Sequence, residues 1–286
     1  MRRHRADGTD PDSHPMTVVH EPPVLLDIDA SAGIATVTLN RPAALNTLNP
    51  ALSKALRDVV SQVESDTAVR TVVLQGAGKH FMAGGDIKTF QATLEASATD
   101  RKRYFERFIA EVHDTIIRIR RMDKPVLASV RGAVAGFGLS LMNSCDLAIA
   151  SDDAYFTLAY RNIGASPDGS GTYGLPRAVG VKRAMEMALF GDRFDAARAL
   201  ELGLVNRVVP ADELTQATRA WAMRLATGPT RALGRTKRLI NDSLGQSLAN
   251  QLLAEQDAFA ASAAERDFIE GVQAFVDKRP PVFSGT

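Results

Sequence analysis

The sequence predicts an α/β fold, a sheet covered by helices, followed by an all-helical C-terminal region. Three observations predict it. Through the first two thirds of the 286 residues, β-rich apolar runs alternate with segments of helical spacing. Two of those runs, Thr71 to Leu74 and Val126 to Val130, are short and read as buried strands. From Val181 onward the pattern is helical, with one short β-like break at Val205 to Val209.

The elements follow in order. Val24 to Asp29 and Ile34 to Leu39 are β-rich and flank Ala30 to Gly33, a hairpin signal, and Arg41-Pro42 stops the second strand. Asn46 to Val63 has helical spacing at Leu48, Leu52, Leu56, Val59, Val60 and Val63. Arg101 to Arg121 reads as a helix with Phe105, Phe108, Ile109, Val112, Ile116 and Ile119 on its apolar side. A glycine-rich turn after Val130 leads into a helix at about Gly136, and Leu147 to Ala150 and Ala154 to Phe156 are short strands. Asp212 to Ala226 carries Leu214, Ala217, Trp221 and Leu225 on one stripe. Ser262-x-x-Glu265 reads as a capping box before Phe268, Ile269, Val272 and Phe275, and Pro280-Pro281 ends that helix. Apolar stripes on an all-helical tail must be buried on the body or on another subunit. The expected organisation is a disordered tail at 1–15, a core at 16–209 and a helical region at 210–286. Met1 to Pro15 has no apolar period, and Met16 is an alternative start.

Composition excludes several classes. Lys plus Arg exceeds Asp plus Glu by 34 − 33 = 1, against a nucleic-acid binder or a polybasic membrane anchor. No apolar run reaches the ~18 residues of a membrane helix, Met1 to Pro15 lacks the apolar stretch of a secretory signal, and a cytoplasmic location is expected. Cys145 is the one cysteine, so no internal disulfide or multi-Cys metal site can form. The five histidines show no metal-ligand spacing.

Two glycine turns can carry chemistry: Ala83-Gly84-Gly85-Asp86-Ile87, and Gly132-Ala133-Val134-Ala135-Gly136-Phe137-Gly138. Each follows a buried strand, and the second opens a helix. A helix start offers unpaired N–H groups, and two such groups from separate loops would hold a developing oxyanion. Taken singly, a glycine turn is more often a tight bend. Gly136-x-Gly138 lacks the third glycine of a dinucleotide loop, because Leu141 stands there.

Together with Arg41-Pro42-Ala43-Ala44-Leu45-Asn46-Thr47-Leu48, Lys124-Pro125-Val126, Ser166-Pro167-Asp168-Gly169, Leu175-Pro176-Arg177, Ala199-Leu200-Glu201-Leu202-Gly203-Leu204-Val205 and Phe275-Val276-Asp277-Lys278-Arg279, these turns resemble the crotonase (enoyl-CoA hydratase/isomerase) superfamily. The resemblance runs in order from about residue 24 to 283. It implies a ββα-spiral core, a helical C-terminal trimerisation region giving a homotrimer or hexamer, and an acyl-CoA substrate, with coenzyme A part of the substrate and no separate cofactor. It implies an oxyanion hole from the N–H groups of Gly85 and Phe137. Ala43, Leu45, Ala83, Asp86 and Ile87 would line the nucleotide and pantetheine side, and Phe275 and Lys278 the CoA phosphate end, often from a neighbouring subunit.

Family hydratases use two glutamates; the corresponding positions here are Ser140 and Tyr160. Asp168 is the carboxylate left in a fitting place. Its bland reading is a helix cap or Pro-Asp-Gly turn. The resemblance favours a base that shuttles a proton in enoyl-CoA isomerisation. His113 reads as a half-buried helix histidine. With Phe137, Tyr160 and Asp168 it also resembles the base, oxyanion amide, aromatic wall and nucleophile of 4-chlorobenzoyl-CoA dehalogenases. Three readings therefore stand: an isomerase or hydratase-like enzyme using Asp168, an aryl-CoA dehalogenase or thioesterase with Asp168 as nucleophile and His113 as base, and a non-catalytic CoA-binding scaffold.

Overall fold

The computed structural model describes residues 21–286; the expectations for residues 1–15 and for Met16 lie outside that range. A hairpin of β1 (Val24–Asp29) and β2 (Ile34–Leu39) opens the chain, antiparallel from Val24 opposite Leu39 to Asp29 opposite Ile34. The strands β3 (Thr71–Gly76), β4 (Val126–Val130), β6 (Leu147–Ser151) and β9 (Arg207–Val209) then add in parallel, giving a six-stranded sheet ordered β1-β2-β3-β4-β6-β9. Parallel neighbours need long crossovers, and these carry α1 (Pro50–Ser65) and α3 (Ala98–Arg121).

Strand periodicity divides the core in two. Ile34, Val73, Leu127 and Ile149 point to one face and pack with Leu214, Ala217, Ala222 and Ala226 of α8 (Leu214–Ala226). Ala35, Val72, Leu74, Val126, Ala128 and Ala148 point to the other, against Leu52, Leu56 and Val60 of α1 and Val112, Ile116 and Ile119 of α3. Burial on both faces explains why these strands read as apolar runs rather than alternating ones.

A second, three-stranded sheet is built from β5 (Ala133–Ala135), β7 (Tyr155–Thr157) and β8 (Phe194–Asp195). Two parallel bridges, Met82 to Val134 and Leu48 to Gly85, bring the first glycine turn alongside it. Helices α2 (Ile87–Gln91), α4 (Phe137–Met142), α5 (Gly171–Val179), α6 (Val181–Phe190) and α7 (Ala196–Glu201) fill the intervening chain. The tail continues as α9 (Thr230–Ser243), α10 (Leu248–Ala263) and α11 (Arg266–Val276). It is anchored by Lys237 of α9, which donates to the carbonyls of Ile119 and Lys124 and pairs with Asp146 at 2.8 Å.

The structure corrects two local expectations. The helix expected from Asn46 begins at Pro50, with Asn49 accepting from the Leu52 amide. Leu45 and Asn46 are left-handed (φ 53° and 55°), and Leu48 is extended against Gly85, so residues 46–48 are committed to the site. The Ser262 capping box does not form. Ser262 lies in the last turn of α10 and its hydroxyl donates to the Ala258 carbonyl, while Glu265 spends its carboxylate on Arg231 and Arg235. The apolar tail also divides: α8 is buried on the sheet, whereas Leu248, Leu252, Leu253 and Phe259 of α10 and Ile269, Val272 and Phe275 of α11 are exposed on the single chain. No described helix is long and apolar enough to cross a membrane.

Candidate active site

The two glycine turns run side by side. Met82 N donates to Ala133 O at 3.0 Å, and Ala135 N returns a bond to Met82 O at 2.9 Å. Counting three residues on from the Met82–Val134 bridge, Gly85 stands opposite Phe137. Each is preceded by a glycine with positive φ, Gly84 at 89° and Gly136 at 52°. The backbones touch there: a Cβ on Gly136 would lie 3.4 Å from Gly84 Cα. In the extended segment around Gly85, Gly84 O and Asp86 N both bond to Leu48, at 2.8 Å each. Alternation of an extended chain then turns the Gly85 N–H the other way. Phe137 is the first residue of α4, so its N–H has no helical partner. Among the described residues, neither amide donates to another group.

Two side chains lock this frame. Asn46, fully buried, donates to His80 O at 2.7 Å and Ala77 O at 3.0 Å and accepts from Arg41 N at 2.8 Å. His80 Nδ1 accepts from the Ala133 amide at 3.0 Å, joining one turn to the other. Sequence reasoning missed both roles. Asn46 carries a signal, since it lies in the Ala43-to-Leu48 motif; His80 carries only its position before the turn.

The second half of the site is the turn at Asp168, held at four points. Tyr160 Oη donates to Asp168 Oδ1 at 2.5 Å. Ser140 Oγ, from buried α4, donates to the Asp168 carbonyl at 2.9 Å. The next amide, Gly169 N, donates to His113 Nε2 of α3 at 3.3 Å. Gly169 rests on the Phe137 ring, where an added Cβ would stand 2.5 Å from Cε2. The Phe137 side chain is only 3 % exposed and lies under the carboxylate turn. One residue thus offers its amide to the first half of the site and its ring to the second.

Electrostatics follow burial. Desolvation pushes the Asp168 carboxyl above its ordinary value, against the opposing pull of the Tyr160 hydroxyl and nearby His113. Burial, reinforced by the adjacent Asp168 charge, raises the Tyr160 phenol far above its usual range, so it stays a donor. Nε2 of His113, which is exposed on α3 rather than half-buried as expected, turns its lone pair to the Gly169 amide. His113 therefore holds the turn, with that lone pair already engaged.

The expected nucleotide-side residues form one rim. Ala43 lies in a 3-10 turn at Pro42–Ala44, and Leu45, 43 % exposed, accepts from Ala83 N at 3.0 Å. Ile87 is exposed beside them. Asp86 caps α2 through Lys88 N at 3.1 Å and pairs with Arg41 at 2.8 Å. Burial opposes its ionisation, but Arg41 and the Lys88 and Thr89 amides outweigh that and hold the carboxyl below its ordinary value. Phe275 and Lys278 are not brought to this rim within the chain. Phe275 lines a separate apolar cleft with Pro229, Phe268, Val272 and Phe283, and Lys278 follows it in a left-handed turn (φ 54°).

The two glycine turns and the half-buried Asp168 turn thus meet through Phe137 and make one candidate site. Comparisons with known proteins identify the family. The model of the enoyl-CoA hydratase/isomerase family matches residues 29–286. The 1,2-epoxyphenylacetyl-CoA isomerase of Escherichia coli is 37 % identical over 253 residues, covering 88 % of this chain and 95 % of that protein. The trans-2-decenoyl-[acyl-carrier-protein] isomerase of Streptococcus mutans is 31 % identical over 262 residues, covering 92 % and 98 %. The crystal structure of an enoyl-CoA hydratase from Mycobacterium smegmatis superposes with a TM-score of 0.85 at 35 % identity, covering 92 % of this chain and 99 % of that one. The chain belongs to the enoyl-CoA hydratase/isomerase family, within the crotonase superfamily, and has its mixed α/β fold.

Proposed function

We propose that this enzyme moves a double bond in an enoyl-CoA thioester, with Asp168 as the one proton carrier. The observation that carries the reading is the occupancy of the carboxylate positions: Ser140 and Tyr160 both bond to Asp168, and Asp168 is the acid left at the turn. Asp168 takes an α-proton from a 3-enoyl thioester. The electron pair moves through the α-carbon onto the thioester oxygen, where the amides of Gly85 and Phe137 meet the growing charge. Asp168 then returns the proton to the γ-carbon, leaving the 2-enoyl thioester, and no atom is gained or lost. A carboxyl raised by burial suits both halves of that exchange, since it is a stronger base than an exposed Asp.

Two relatives whose names are isomerases support the reading. Hydration with Asp168 alone to position water is expected to be slow. Covalent attack by Asp168 followed by His113-assisted hydrolysis is disfavoured, because the Gly169 amide occupies the Nε2 lone pair. The test is a panel of 3-enoyl-, 2-enoyl- and aryl-CoA thioesters followed by ultraviolet absorbance. Turnover of 3-enoyl-CoA well above hydration of 2-enoyl-CoA is the expected result. Halide or free CoA release as the main product, or silence across the panel with CoA still bound, would remove the isomerase reading.

A further inference from the structure

Asp168 presents its two carboxylate oxygens unequally. Oδ1 takes the Tyr160 hydroxyl at 2.5 Å, while no hydrogen bond from another described residue reaches Oδ2. The main chain on both sides of Asp168 is held as well. Its carbonyl is held by Ser140 and its following amide by His113, and Ser144 Oγ lies 3.0 Å from Ser170 Oγ just beyond. Tyr160 is itself fixed. It opens a 3-10 turn (Tyr160–Ile163), its carbonyl accepts from Ala165 N at 3.1 Å, and the preceding Ala159 is left-handed at φ 53°. Tyrosine thus reaches across eight residues to a carboxylate from a position where family hydratases carry an acid.

We propose that Tyr160 is a positioning residue for the proton transfer, fixing Oδ1 of Asp168 so that Oδ2 alone removes and returns the proton. This rests on Asp168 being the base. With one oxygen working from a carboxyl held by the Tyr160 hydroxyl, the proton leaves and returns on the same face of the carbon chain. Tyr160 gives up no proton; its O–H bond to Oδ1 persists through both steps. The ionised form of Asp168 gains from that bond, and the groups acting on it are the Tyr160 hydroxyl, His113 of α3 and the backbone amide of Asp168 itself, while the Ser140 hydroxyl is spent on the Asp168 carbonyl.

Tyr160→Phe removes one oxygen and keeps the ring. The expected result is a roughly tenfold or larger fall in kcat for 3-enoyl-CoA. KM should change by less than about twofold, since the hydroxyl acts on the base. The acid limb of the kcat profile should move to higher pH, because losing a donor to the carboxylate favours its protonated form. His113→Gln keeps an acceptor for Gly169 and removes the imidazole, so an acid limb that survives in it belongs to Asp168. A Tyr160→Phe enzyme with the original kcat, or one that loses rate with its acid limb unmoved, overturns the role of Tyr160. Full turnover by Asp168→Asn would instead overturn the base assignment itself, so the two failures are distinct.

Discussion

Asp168→Asn is expected to lower kcat for a 3-enoyl-CoA by about 10³-fold while leaving thioester affinity within about twofold. The amide keeps the shape of the side chain and still accepts from Tyr160 at the Oδ1 position, but it cannot take a proton. The glycine turns and the rim at Leu45, Ala83 and Asp86 are untouched. The same substitution is expected to leave thermal stability equal or higher. The sign follows from burial, which raises the folded-state pKa of this carboxyl above its unfolded value. Such a group binds protons more readily in the folded state, so its ionisation opposes folding progressively as pH rises through those two values. The neutral amide is free of that cost near pH 7. Turnover by absorbance, affinity by titration calorimetry and unfolding by circular dichroism read the three quantities. An active variant, or an inactive one that has lost affinity or stability in proportion, would not fit a base held ready in a preformed site.

Gly136→Ala probes the other half. There is room for the methyl group, 3.4 Å from Gly84 Cα and 3.7 Å from the Leu158 carbonyl. The backbone is the obstacle: φ 52° with ψ −122° lies where a Cβ is poorly tolerated. We expect a loss of about 1 to 3 kcal/mol in stability from that strain. We also expect kcat to fall by about 10²-fold, the scale of one lost oxyanion donor, because relaxation of residue 136 re-aims the Phe137 N–H. Thermal unfolding with and without a CoA thioester, run beside kinetics, separates the two effects. A variant as active as the parent would mean that the aim of the Phe137 amide does not matter.

The sequence made legible what has a period or a motif. Both hairpin strands and β4 were readable to the residue, because apolar runs and turn residues bound them. The three-residue β5 and two-residue β8 were not, since so short a strand shows no alternation, and β5 lies inside a segment that reads as a glycine turn. The start of α1 was misplaced because left-handed Leu45 and Asn46 are set by pairing across the site, which local spacing does not encode. In the site, the glycine turns and Asp168 stood out by motif. The Phe137 ring beneath Gly169, and the hydroxyls of Ser140 and Tyr160 aimed at one aspartate, depend on contacts 32, 28 and 8 residues apart. Residue types at those positions said which acids were missing; only the fold says what their replacements hold.

The most direct measurement is a crystal structure with a non-reactive 3-enoyl-CoA analogue bound. The thioester oxygen is expected within about 2.7–3.2 Å of both Gly85 N and Phe137 N. Asp168 Oδ2 is expected against the α- and γ-carbons on one side of the chain. A carbonyl oxygen bonded elsewhere, with either amide pointing away from it, would show that these two amides do not form the oxyanion site.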